Sequence, residues 1–182
     1  MGYGSIVEKT INSLKHRLEI GQGVFDIYSG EGDLSPVKCS FNQPATIKEI
    51  QEFEASMGVV FPEDYKKFLL ITNGCRLFDH PQYGGESYLL TLDEMLNYTF
   101  EDRFDGCFKV AYIYGENIVI NSTRYINGEK NYLYVKDKID SFEDSKPLNM
   151  NFELWLDRFV ISQGSKFWSW SIYTAENYYR LR

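Results

Sequence analysis

The apolar positions of this chain form helical stripes on either side of a central block that reads as strands. Val7, Ile11, Leu14 and Leu18 recur at helical spacing, with Lys9, Lys15, Arg17 and Glu19 on the opposite side. Residues 5–20 therefore predict an amphipathic helix that ends at Gly21. A second stripe, Ile47, Ile50, Phe53 and Met57, follows Thr46 and Glu49, which have the spacing of a capping box. Gly58 closes it, since glycine takes a left-handed backbone without a Cβ penalty. Pro62 suits the first turn of the next helix, where no N–H is needed. Tyr65, Phe68, Leu69 and Thr72 form that helix's apolar face, with Asn73-Gly74 as its stop. Phe152, Trp155, Leu156, Phe159 and Val160 predict a last long helix over residues 151–162, closed by Gln163-Gly164.

The text between these stripes alternates or is rich in Tyr, Ile and Val. Residues 24–28 and 37–41 are short β-prone pieces in a glycine-rich stretch that reads as turns or as a mobile arm. Residues 76–86 read as a loop, 87–91 as a strand and 92–98 as a short helix with Leu92, Met95 and Leu96 turned inward. Residues 108–114, 117–125 and 130–136 predict an antiparallel meander. Gly115-Glu116-Asn117 separates the first two strands, and Asn127-Gly128 is a strong tight-hairpin signal between the last two. Residues 141–150 read as a polar loop. The final segment holds Phe167, Trp168, Trp170, Tyr173, Tyr178 and Tyr179, some for core closure and some for a contact surface.

The pattern E-I-x-x-F-E, G-V-V-F-P-x-D-Y and F-L-L-x-T-N-G resembles the signature of the SUKH superfamily. It is carried by Glu49, Ile50, Phe53, Glu54, Gly58, Pro62, Asp64, Tyr65, Phe68, Leu69, Asn73 and Gly74. That superfamily contains bacterial immunity proteins of contact-dependent and polymorphic toxin systems, and relatives among fungal cell-wall-synthesis regulators. The resemblance implies an α+β fold: a single globular unit with a mainly antiparallel sheet packed with helices. Residues 1–43 would supply an N-terminal helix and glycine-rich arm, and residues 44–182 the SUKH-like domain. It further implies an immunity protein that binds and neutralises a cognate toxin domain, a nuclease in many such systems. The fungal relatives imply an alternative, a non-catalytic regulatory scaffold for signalling partners.

Composition narrows the partners. The chain has 182 residues, 43% of them apolar and 25% charged, which is the balance of a folded domain and not of a disordered one. A net charge of −7 argues against nucleic-acid binding, which needs concentrated Lys and Arg, and suits a basic protein partner. Cys39, Cys75 and Cys107 are odd in number and far apart, so no disulfide framework is expected. The first twenty residues have no long apolar core or cleavage site, and no run is long enough to cross a membrane. These features predict a cytoplasmic protein.

Catalytic and metal signatures are missing from the text. There is no HExxH, no GxSxG and no Cys/His cluster at metal-ligand spacing. The glycines at 21–23 and 30–32 do not continue into a phosphate loop, and Glu31 and Asp33 would repel phosphate. The nearest approach to a nucleophile–base pair is Cys75 with His80, and Cys75 reads as a small buried hydrophobe. No enzyme activity, metal or cofactor is expected. Two clusters are candidates for gripping a basic toxin: Asp79, His80, Tyr83 and Glu86, and the acidic run Glu101, Asp102 and Asp105. A sheet edge open to strand addition is a further candidate surface.

Overall fold

A computed structural model describes residues 4–99, 106–172, 174 and 176. Helix α1 (Ser5–Ile20) buries the predicted stripe of Val7, Ile11 and Leu14. The glycine-rich stretch after it forms strands β1 (Phe25–Tyr28) and β2 (Leu34–Phe41), a hairpin within the sheet. Then come α2 (Ile47–Met57) and α3 (Glu63–Leu69), followed by β3 (Cys75–Asp79) and β4 (Ser87–Leu89). Helix α4 (Leu92–Thr99) precedes β5 (Cys107–Ile113) and β6 (Glu116–Asn121). A short helix α5 (Ser122–Ile126) leads to β7 (Leu133–Asp137), β8 (Lys146–Pro147) and α6 (Phe152–Ile161).

The eight strands form one antiparallel sheet whose spatial order is their chain order, β1 to β8. Helices α1, α3 and α6 pack on one another, over the face that carries Ile27, Leu77, Leu89, Ala111, Ile118 and Leu133. The fold is α+β, an antiparallel sheet with helices on one side. At its centre Phe61, Tyr65, Phe68, Phe108 and Phe152 pack ring against ring, with centroids 4.8–6.3 Å apart. Each buried aromatic side chain of this size contributes on the order of 2–3 kcal/mol relative to exposure.

The punctuation of α2 is as the text predicts. Thr46 accepts from the Glu49 N–H at 3.2 Å, and the Glu49 carboxylate accepts from the Thr46 N–H at 2.7 Å. The bonds that the Glu49 carboxylate accepts from the Thr46 N–H and the Thr46 hydroxyl hold it below the ordinary carboxylate range. Gly58 ends the helix at φ 66°. Ile47 is a correction to the predicted face, since it is 63% exposed and Ile50 and Phe53 alone are fully inward.

Other differences have local causes. Helix α3 stops at Leu69, and the chain reaches Gly74 through a turn. There a Cβ would meet Leu89 O at 2.7 Å, so only glycine fits. The predicted loop 76–86 begins as strand β3. A non-glycine residue at positive φ, Phe78 at 59°, bulges it and puts Leu77 and Phe78 both inward. Strand β6 stops at Asn121, whose side chain caps α5 by accepting from Arg124 N–H at 3.0 Å. Asn127-Gly128 therefore ends a helical turn and is not a two-residue hairpin. The tight turn is Tyr114-Gly115, at φ 42° and 90°, between paired Ile113 and Glu116. The predicted polar loop 141–150 contains a 3₁₀ turn, Phe142–Asp144, and strand β8.

Candidate protein-binding face

Most of the family-like residues of the sequence lie inside the fold, while Glu49 and Gly58 are exposed at the two ends of α2. Glu54 accepts from Phe61 N–H at 2.6 Å and pairs with Lys66 at 3.2 Å, tying α2 to α3. Asp64 is 2% exposed. Its carboxylate accepts from the Tyr132 hydroxyl, from Tyr65 N–H at 2.9 Å and from Glu153 N–H at 3.0 Å. The Tyr132 oxygen in turn accepts from Phe152 N–H at 3.2 Å, and Asn151 caps Leu154 N–H at 3.1 Å. The first three N–H groups of α6 are thus all satisfied, by a carboxylate, a hydroxyl and an amide. Asn73 Oδ1 does the same for Leu92 N–H at the start of α4, at 3.0 Å. These residues position helices and carry no surface chemistry.

The face of the sheet away from the helices is different. Alternation along each strand and the pairing between strands place Ser40, Arg76, Tyr88, Tyr112, Asn117 and Lys136 in one unbroken cross-strand row from β2 to β7. The Arg76 guanidinium lies 4.3 Å from the Tyr88 ring centroid. Tyr88 and Tyr112 stack at 5.9 Å and 15°, and Lys138 Nζ stands 5.8 Å from the Tyr112 ring. Helix α4 borders this row with Glu94 and Tyr98, leaving an open groove of about 800 Å³ over it. At the β7 side, Cys107, Val119 and Phe142 make a small second apolar cluster.

Strand addition at the sheet edges has little to hold. Two of the β1 groups that point outward are already bonded: Arg17 Nη2 donates to Asp26 O at 2.9 Å, and Gln163 Oε1 accepts from Tyr28 N–H at 3.1 Å. At the other edge, β8 has two residues, one of them Pro147. What the fold leaves open is the face.

The predicted contact residues divide. Asp79 is buried at the end of β3, and its Oδ2 accepts from Arg76 Nε at 2.7 Å. It anchors the outer row from below. His80 and Tyr83 stack at 4.6 Å on the β3–β4 tip, where His80 Nδ1 accepts from the N–H groups of Gln82 and Tyr83. Tyr83 is 84% exposed. Glu86 is exposed and lines the groove. Glu101, Asp102 and Asp105 lie outside the described residues, as do Tyr173, Tyr178 and Tyr179. The groove residues Tyr88, Tyr112, Asn117 and Lys138 were not singled out by the sequence. Alternation along the strands was the available signal, and it becomes informative only with the register known.

Cys75 and His80 do not form a pair. They begin and follow the same strand, about 16 Å apart at strand rise, and Cys75 is 2% exposed. Burial pushes the Cys75 thiol well above its ordinary value, and the half-buried Cys39 thiol to about 11. Neither is an activated thiolate. Among the described residues no group of three or more acidic, Cys or His side chains is placed to hold a metal ion. No described helix is long and apolar enough to cross a membrane.

The model of the SMI1/KNR4 family (SUKH-1) matches residues 44–158, well over half of the chain. The chain belongs to the SUKH superfamily. It is 36% identical over 187 residues to the uncharacterized protein YobM of Bacillus subtilis, covering 98% of this chain and 99% of that protein. It is also 36% identical over 142 residues to the uncharacterized protein YnaB of the same organism, covering 78% of this chain and 93% of the relative. The SUKH match begins at residue 44, so α1 and the β1–β2 hairpin precede it; the alignment to YobM spans nearly the whole chain. The SUKH signature residues Glu49, Glu54, Asp64 and Asn73 are those found bonding helix termini and turns, which accounts for their pattern in physical terms.

Proposed function

We propose that this SUKH protein is an immunity protein of the bacterial cytoplasm. It binds a cognate toxin domain, a nuclease, and neutralises it by protein–protein contact, without a cofactor or a reaction of its own. The observation that carries the reading is the open outer face of the sheet, where stacked tyrosines and charges of both signs surround a groove. Tyrosine gives large contact area with a polar tip, and mixed charge around an aromatic centre is the composition of a specific interface. The net charge of −7 would draw in a toxin whose active site is basic because it holds phosphate. His80, Tyr83 and Glu86, at the rim, are proposed to contribute contacts, as are Glu101, Asp102 and Asp105; Asp79 supports them through Arg76.

Co-expression with the product of the adjacent gene tests this. The expected result is survival of cells that the toxin alone kills, with the two proteins co-purifying. Co-purification of several signalling proteins without rescue would instead support the scaffold role that the fungal relatives suggest.

A further inference from the structure

The turn between β3 and β4 is fully bonded around a residue that the fold does not use. Tyr83 is 84% exposed and stands outside both apolar clusters. Yet every N–H from His80 to Gly84 is occupied. His80 N–H donates to Gly84 O at 3.0 Å, and Gly84 N–H donates to His80 O at 2.9 Å. Pro81 has no N–H, and the N–H groups of Gln82 and Tyr83 donate to His80 Nδ1 at 3.2 and 3.3 Å. An Nδ1 that accepts puts the imidazole proton on Nε2. The same imidazole stacks on the Tyr83 ring, with centroids 4.6 Å and planes 24° apart.

A tyrosine on a loose loop loses much freedom when it is bound; one held by its backbone and by a stacked neighbour has little left to lose. Its surroundings say what it meets. The β1–β2, β3–β4 and β5–β6 turns and the end of β7 all lie at one end of the antiparallel sheet. Tyr28, Leu34, Tyr114 and Ile139 are exposed at that same end. Backbone bonds tie the turns to one another: Tyr114 N–H donates to Glu86 O at 3.0 Å, and Lys138 N–H donates to Gly115 O at 2.8 Å. The connecting residues include Glu31, Asp33, Glu86 and Asp140 against Lys138. A complementary surface is therefore basic around an apolar centre.

Building on the immunity reading, we infer that the β3–β4 tip is a preformed anchor: Tyr83 enters a pocket of the toxin with a basic rim, and His80 holds Tyr83 in position. The outer face of the sheet offers a broad surface, and the tip projects from its end. Tyr28, Leu34, Tyr114 and Ile139 surround the contact and keep water from it. His80 acts through the loop it closes, as the acceptor for two N–H groups and as the stacked neighbour of the ring.

The test combines the affinity of the full chain for the purified product of the adjacent gene with hydrogen exchange at Gln82 and Tyr83 in the free chain. Tyr83→Ala should weaken binding about thirtyfold or more, with the melting temperature unchanged. His80→Phe keeps a stacked ring but removes the acceptor, so it should speed exchange at both N–H groups and weaken binding about fivefold. His80→Asn, whose Oδ1 can take the place of Nδ1, should keep exchange slow and restore most of the affinity. Parental affinity for Tyr83→Ala would overturn the anchor, and unchanged exchange in His80→Phe would overturn the role of His80. So would binding of the chain to phosphatidylglycerol vesicles, lost in Tyr83→Ala with toxin affinity intact, which would make the tip a membrane contact. If Tyr83→Ala protects cells from the toxin as well as the parent chain does, this inference alone falls. If the parent chain neither protects nor binds, the immunity reading falls and takes the anchor with it.

Discussion

At the scale of single residues the organising group is Asp64. Its carboxylate joins α3, the approach to β7 and the start of α6, so removing it orphans three donors at once. Asp64→Ala should cost about 3 kcal/mol, which for a chain of this size lowers the melting temperature by roughly 6–12 °C. Burial pushes the Asp64 carboxyl above the ordinary carboxylate range, while the bonds from Tyr132, Glu153 and Tyr65 pull it back. The folded state therefore takes up the proton at a higher pH than the unfolded chain. The contribution is fully present below about pH 4 and is lost as pH rises through the folded value. A melting-temperature series should show the parent chain's advantage over Asp64→Asn to be largest at the acid end and smaller at neutral pH; a gap that widens with pH would contradict this. By position in the sequence Asp64 is a first-turn acid of its own helix, α3. That it serves another helix 89 residues away is a tertiary fact, invisible to local pattern.

Elements were legible where their ends are set by neighbours in sequence. Helix α2 carries its whole capping box within four residues, and α6 its cap and stripe within eleven. Thr46→Ala should accordingly cost about 1 kcal/mol, read by chemical denaturation. Where an end is set from afar, local pattern does not show it. Strand β6 stops because Asn121 turns to cap α5 and Ser122 Oγ bonds Val60 O at 2.9 Å, a contact 62 residues away. Asn127-Gly128 then had no strand to turn. Strand β3 was hidden because its bulge at Phe78 breaks the alternation that identifies a half-buried strand. The edge of β1 gives a further prediction. Changing both Arg17 and Gln163 to Ala should expose Asp26 O and Tyr28 N–H, speed hydrogen exchange at Tyr28 and move sedimentation toward higher mass. Unchanged exchange at Tyr28 would show that the edge is protected otherwise.

For the molecule as a whole, the two faces of the sheet divide the work. The helix-covered face holds the aromatic core and most of the residues that define the SUKH signature, and the others cap helices, so the signature reports the fold. The open face holds a row of side chains drawn from six strands, one residue from each. Such a row has no signature in the linear text, whereas a charged loop does. Charge was legible in sum and not in place, because the groove gathers Arg76, Lys109 and Lys138 within a chain of net charge −7. The central claim is that this face grips the toxin. Its most direct measurement is the affinity of the purified toxin for the parent chain and for Tyr112→Arg, whose side chain points out from the middle of the row. The account predicts a loss of 2 kcal/mol or more, about thirtyfold in Kd, with the melting temperature nearly unchanged. Equal affinity for the two proteins would contradict it.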